Sequence, residues 1–167
     1  EFIFSDKPIN RFKTKLEVED KISLLAKLKN DLQNIKNCEL KESAKKLVFS
    51  DGNSNSKIMI VGEGPGQKED EVGKPFVGDA GLLLNKMLKA ININRQDIYI
   101  TNVVNYRPPN NRKPEPAEIT RYSEYLRKHI SIINPKILIL MGSTAMESLF
   151  GSNGWYLEEP GYRRKRS

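Results

Sequence analysis

At 167 residues and 38% hydrophobic composition, the chain can bury one substantial core but is too short for two domains of ordinary size. A formal charge of +7 favours a polyanionic partner such as nucleic acid, because clustered Lys and Arg release counterions condensed on phosphates. One cysteine excludes an internal disulfide framework, no apolar run is long enough to span a bilayer, and Glu1 to Asp6 lacks the basic-then-apolar pattern of a signal peptide. A soluble, cytoplasmic, monomeric protein with no membrane partner is expected.

Residues 1–37 read as an N-terminal extension entering an amphipathic helix. Leu24, Leu25, Leu28, Leu32 and Ile35 recur at spacings of three and four amid Lys, Asp and Glu, which predicts a helix over about 18–37. The turn formers Asp51 to Ser56 then end whatever precedes them, and Ile58-Met59-Ile60-Val61 reads as a short, fully buried strand. Similar runs return at Ile98 to Val104 and at Ile137 to Met141. Between them lie helical patterns over Leu82 to Ala90 and about Glu115 to Ile132.

Alternating buried strands and helices predict a three-layer α/β/α domain over 38–150, with a central, mostly parallel sheet covered on both faces. Ligands of such sheets sit beyond the carboxyl ends of the strands, which directs attention to the residues just after Val61, Val104 and Met141. A last short helix over Thr144 to Phe150 has Ser143 or Thr144 as its expected N-cap. Residues 151–167 read as a divergent loop and basic tail. Arg163, Arg164, Lys165 and Arg166 supply four of the seven net positive charges, and fit either a solvated tail or a nucleic-acid contact.

The chemistry concentrates after the first strand. Gly62-Glu63-Gly64-Pro65-Gly66 lets backbone approach a ligand closely and leaves N–H groups free to face it. A dinucleotide-binding loop would need an acidic residue about 20 positions later at the end of a second strand. Leu82 to Lys86 is helical there, so that reading falls away. Glu69 and Asp70 follow in a predicted loop, and then Phe76, fixed between Pro75 and the small-residue turn Val77-Gly78. A flipped base needs an aromatic face and hydrogen bonds to its Watson–Crick edge, and Phe76 can supply the face.

These segments resemble the uracil-DNA glycosylase superfamily, most closely its thermostable, family 4-like branch. The matching text is Val61 to Gly66, Glu69-Asp70, Gly73 to Gly78, Ala80-Gly81, Leu83-Leu84, Tyr99 to Val104, Arg107 to Pro109, Asn111-Arg112, and Pro135 through Gly142, in order and at the right spacing. The resemblance implies hydrolysis of the N-glycosidic bond of uracil flipped out of DNA. It places Gly62, Gly64, Phe76 and Asn102 on the base, with the Asn102 amide reading the uracil edge. Glu63 and Glu69 are implied as the catalytic acids, and Arg107, Asn111 and Arg112 as contacts to DNA.

The sequence also departs from the family. A [4Fe–4S] cluster held by four cysteines is typical of family 4, whereas here only Cys38 matches a ligand position and Lys41, Tyr106 and Tyr122 stand at the others, so no cofactor and no metal site are expected. The family's later histidine, in a His-Pro loop, has no counterpart. The only histidine, His129, falls in the middle of a predicted helix and reads as a surface or helix-packing residue. The alternative to an active glycosylase is therefore a non-catalytic nucleic-acid-binding remnant.

Overall fold

The computed structural model describes residues 11–151, with side chains from Asp20 onward. The first ten residues and the basic tail lie outside the described residues. The elements in chain order are α1 (Arg11–Gln33), α2 (Glu39–Ser43), β1 (Asp51–Gly52), β2 (Ile58–Gly62), α3 (Gln67–Val72), α4 (Asp79–Ala90), β3 (Tyr99–Asn102), α5 (Pro116–Ile133), β4 (Ile137–Leu140) and α6 (Ser143–Phe150). Short 3₁₀ turns occur at Arg95–Asp97 and Pro109–Asn111. Among the described residues no helix is long and apolar enough to cross a membrane.

The sheet order is β1-β3-β2-β4, with β2 parallel to both neighbours and the two-residue β1 antiparallel to β3. Alternation along the strands sorts their side chains into two cores. Met59, Val61 and Tyr99 pack with Leu32, Tyr122 and Leu126 from α1 and α5, while Ile60 and Ile100 pack with Leu84 and Leu88 of α4. Helices thus lie on both faces of the sheet, the expected three-layer α/β arrangement.

Local chemistry explains most element boundaries. In α5, Pro116 occupies the first turn, where its missing N–H costs nothing, and the Glu118 carboxylate accepts from the Glu115 N–H at 2.7 Å. Asn134 closes the same helix in the left-handed region, with φ of 50°, and donates its N–H to the Ile130 carbonyl.

Four expectations change. Helix α1 begins at Arg11 rather than near residue 18 and ends at Gln33, because charged, good helix-forming residues extend it beyond the apolar stripe. The acids at 69–70 lie in a helix, α3, rather than in a loop. Neither Ser143 nor Thr144 caps α6, since Gly142 occupies that position. Strand β4 is not fully buried: Ile137 is 53% exposed and Ile139 42%. They share a sheet face with Ile58 and Ile60, but α4 covers β2 and β3 and stops short of β4.

His129 is a core residue, 2% exposed, so the packing half of its sequence reading holds and the surface half does not. Its ring stacks on Phe49 with centroids 4.7 Å apart, and its Nε2 lies 2.7 Å from the Tyr99 hydroxyl, which in turn donates to Ser50 at 2.8 Å. The network ties α5 to β3. Burial pushes the Tyr99 phenol up to about 12 and the His129 imidazole down to about 3.

The folded state therefore keeps His129 neutral while an unfolded chain protonates it near the ordinary histidine value of 6.5. Its contribution is fully present above pH 6.5 and drains at about 1.4 kcal/mol per pH unit as pH falls toward 3. Phenylalanine at this position should keep the stack on Phe49 without the titration. Urea denaturation of His129→Phe from pH 7 to 4.5 is expected to show a shallower loss of stability than the parent; parallel slopes would show that His129 is not the group responsible.

Candidate active site

Both parallel pairs end at the same side of the sheet, and a cavity of about 320 Å³ opens there. Gly62, Glu63 and Gly64 line it from the end of β2, Asn102 from the end of β3, Phe76 from the segment before α4, and Met141 from the residue after β4. The sequence-predicted base-binding residues Gly62, Gly64, Phe76 and Asn102 are thus brought together.

Register determines the centre of the site. Gly62 pairs with Asn102 across β2 and β3, and a Cβ on Gly62 would fall 2.5 Å from the Phe76 ring and 2.6 Å from the Asn102 Oδ1. No larger residue fits without displacing one of the two groups. Phe76 is half-buried and adopts the left-handed region, with φ of 52°, which is rare for a bulky side chain.

The Asn102 side chain is the anomaly of the molecule. The residue is 2% exposed, yet neither its Oδ1 nor its Nδ2 has a hydrogen-bond partner among the described residues. An unpaired buried amide costs about 1–3 kcal/mol per group, so a structure that keeps one at a cavity wall has a donor and an acceptor waiting for a ligand.

The two acids differ sharply. Glu63 is exposed at the cavity mouth, and its Oε2 accepts a hydrogen bond from the Thr144 hydroxyl at the start of α6. Sequence reasoning read Thr144 as a possible cap and missed this tie. Glu69 is buried, and its carboxylate accepts N–H groups from Gly66 at 3.1 Å, Val77 at 2.9 Å and Gly78 at 2.7 Å. Both of its oxygens are thus committed to holding the Gly66 turn against the Val77–Gly78 turn.

The proline-rich turn after β3 adjoins the cavity through Gly64, whose Cβ would lie 3.9 Å from Pro108. Asn111 is exposed there and Arg107 donates to its side chain at 2.7 Å. Arg112 instead forks onto Glu118, with bonds of 2.8 and 2.7 Å, and that hydrogen bond holds the Glu118 carboxyl below the usual carboxylate range. Arg112 is thereby engaged within the protein rather than left free beside the cavity.

The positions implied for an iron–sulfur cluster carry the wrong donors. The Cys38 sulfur lies 3.3 Å from the Tyr122 hydroxyl, Tyr106 donates to the Leu32 carbonyl at 3.2 Å, and Lys41 donates to the Gln33 carbonyl at 2.6 Å. Burial pushes both phenols up, which keeps them protonated and poor ligands. Among the described residues no three His, Cys, Asp or Glu side chains are placed to hold a metal ion. One thiol, two neutral phenols and an ammonium do not fit a cluster that requires thiolates.

The family model described as the Uracil DNA glycosylase superfamily matches residues 49–165. The chain is 46% identical over 109 residues to a type-4 uracil-DNA glycosylase of Thermotoga maritima, covering 65% of this chain and 57% of that protein. It is 44% identical over 131 residues to a type-4 uracil-DNA glycosylase of Sulfurisphaera tokodaii, covering 78% of this chain and 60% of that protein. Against a type-4 uracil-DNA glycosylase of Pyrobaculum aerophilum it is 40% identical over 137 residues, with 82% and 70% covered. The chain thus spans well under two thirds of the length of the first two relatives.

The Glu69 cage is open to direct test. Glutamine would keep one acceptor oxygen but turn an amide N–H toward backbone N–H groups, so Glu69→Gln is expected to lower stability by about 2–3 kcal/mol in urea denaturation. A variant as stable as the parent would mean that the carboxylate does not hold the two turns.

Proposed function

We propose, since this chain belongs to the uracil-DNA glycosylase superfamily, that it hydrolyses the N-glycosidic bond of uracil in DNA as a step of base excision repair. The observation that carries the reading is the buried Asn102 amide, unpaired at the cavity wall beside the Phe76 ring. Uracil offers O4 as an acceptor and N3–H as a donor on one edge, which the amide's Nδ2 and Oδ1 complement. Cytosine presents a donor and an acceptor in the opposite order and would leave both buried groups of Asn102 facing like partners. Discrimination by a site built for hydrogen bonds is large for this reason.

The target nucleotide leaves the stack and enters the cavity, with the base against Phe76 and its edge on Asn102. Bond cleavage moves electrons onto the uracil ring and leaves positive character at C1′. Backbone N–H groups around Gly64 stabilise the uracil anion, and the Glu63 carboxylate faces the sugar, where it orients the attacking water and opposes the developing positive charge. Glu69 contributes through the turns it holds. Arg107 and Asn111 meet the DNA strand beside the cavity, with Arg112 bracing their turn through Glu118. The enzyme acts as a DNA-binding, cytoplasmic monomer.

Base release from a uracil-containing single-stranded oligonucleotide, scored by alkaline strand cleavage against a cytosine control, tests the reading. Cleavage confined to uracil is expected. Asn102→Asp removes the donor to O4 and should lower release on the order of a hundredfold while weakening preference over cytosine. Phe76→Ala should cost about 1–3 kcal/mol of transition-state stabilisation. A folded chain that binds the oligonucleotide and releases no base would instead favour the non-catalytic nucleic-acid-binding remnant.

A further inference from the structure

The left-handed backbone at Phe76 needs something to hold it, because a bulky side chain does not occupy that region by preference. Two contacts close on its carbonyl. The first turn of α4 is jammed against it, since a Cβ on Gly81 would fall 1.9 Å from the Phe76 carbonyl oxygen. The other contact is a guanidinium from the 3₁₀ turn before β3. Arg95 donates through Nη1 to the Phe76 carbonyl at 2.9 Å and through Nη2 to the Pro75 carbonyl at 2.7 Å.

The same side chain is fixed from behind. Arg95 Nε donates to the Asp51 carboxylate of β1 at 3.0 Å, and Nη1 also reaches the Asn85 side chain of α4 at 3.1 Å. Lys74 adds a second cation to the other Asp51 oxygen at 3.5 Å. One planar fork therefore joins β1, the Pro75–Phe76 segment and α4. Two successive carbonyls together with a carboxylate demand several fixed donors, which a lysine ammonium on a flexible stem does not offer in one geometry.

We propose that Arg95, anchored by Asp51, is a positioning residue for Phe76: by clamping the Pro75 and Phe76 carbonyls it fixes the turn that presents the ring to the flipped base. Arg95 is not among the residues that line the cavity with Phe76 and Asn102, and it acts on the reaction through Phe76 alone. The proposal rests on the glycosylase reading only for the identity of the base. The clamp itself concerns the placement of the ring.

The test pairs a placement readout with a kinetic one. With 4-fluorophenylalanine installed at position 76, the ¹⁹F resonance of Arg95→Met is expected to move and broaden relative to the parent, with Arg95→Lys displaced less. In uracil release, Arg95→Met should raise KM about tenfold with kcat changed less than about threefold, as loss of base stacking requires. In a Phe76→Ala background the same substitution should add less than about twofold, because the ring it positions is gone.

A sharp resonance at the parental position, or a full tenfold effect repeated in the Phe76→Ala background, would overturn the clamp. A parent chain that releases no uracil would count against the glycosylase reading and leave the resonance to judge the clamp. If Arg95→Met fails to fold, Arg95→Lys keeps the charge beside Asp51 and carries the same two measurements, with an undisplaced resonance and unchanged KM counting against the proposal.

Discussion

The parallel register of β2 on β3 is the constraint from which the site follows. It sets Gly62 beside Asn102 at the last pair of the ladder, and the missing side chain at Gly62 is what leaves room for the Phe76 ring and the Asn102 amide to meet over one backbone. Because β2 pairs in parallel with β4 as well, the chain leaves all three strands at the same end. The glycine loop, Asn102 and Met141 therefore arrive together without a long excursion of the chain. A slip of one residue would turn Asn102 toward the α1 and α5 layer and put Thr101, whose hydroxyl now donates to the Phe49 carbonyl at 2.7 Å, at the cavity.

Such a centre is unfavourable in isolation, and the surroundings compensate for it. An unpaired buried amide and a left-handed phenylalanine both oppose folding. Around them the structure is over-determined. The Glu69 carboxylate gathers three backbone N–H groups, Arg95 gathers two carbonyls, and α4 buries Leu84 and Leu88 against Ile60 and Ile100 directly beneath. The opposite face holds the larger core, with Tyr122 and Leu32 almost wholly enclosed. Strain and unmet hydrogen bonds are concentrated where a ligand would relieve them, and satisfied bonds lie one layer out.

How much of this was legible depends on range. β2 and β3 announce themselves as short β-branched runs, and Phe76 and Asn102 stand out because a known family's motifs surround them. β4 is as apolar a run as β2, so its exposed Ile137 and Ile139 could not be foreseen: whether a strand is covered depends on which neighbours reach it, and periodicity carries no such information. α3 escaped notice because six residues give less than two turns of pattern. The ties of Glu69 to Gly78, of Thr144 to Glu63 and of Arg95 to Asp51 join residues 9, 81 and 44 positions apart, and nothing local marks any of them.

The positions of the ionisable groups narrow the chemistry further. His129, the chain's only histidine, is held neutral between Phe49 and Tyr99 in the core beneath α5, with its pKa pushed down to about 3 by burial, and it does not line the cavity from which it would have to assist a departing base. Glu69 lies at the cavity wall, but its oxygens already accept three backbone donors and are held by the two turns. Glu63 remains, exposed at the mouth, and among the described residues only the Thr144 hydroxyl is bonded to it. One carboxylate can oppose positive charge at a sugar but cannot stabilise an anion. If the chain acts as proposed, the described residues would leave the negative charge of the departing base to backbone N–H groups of the glycine loop and to the Asn102 Nδ2 at O4. The demand on the amide would then be greatest as the bond breaks, so the proposal casts Asn102 as a group that binds the transition state more tightly than the substrate.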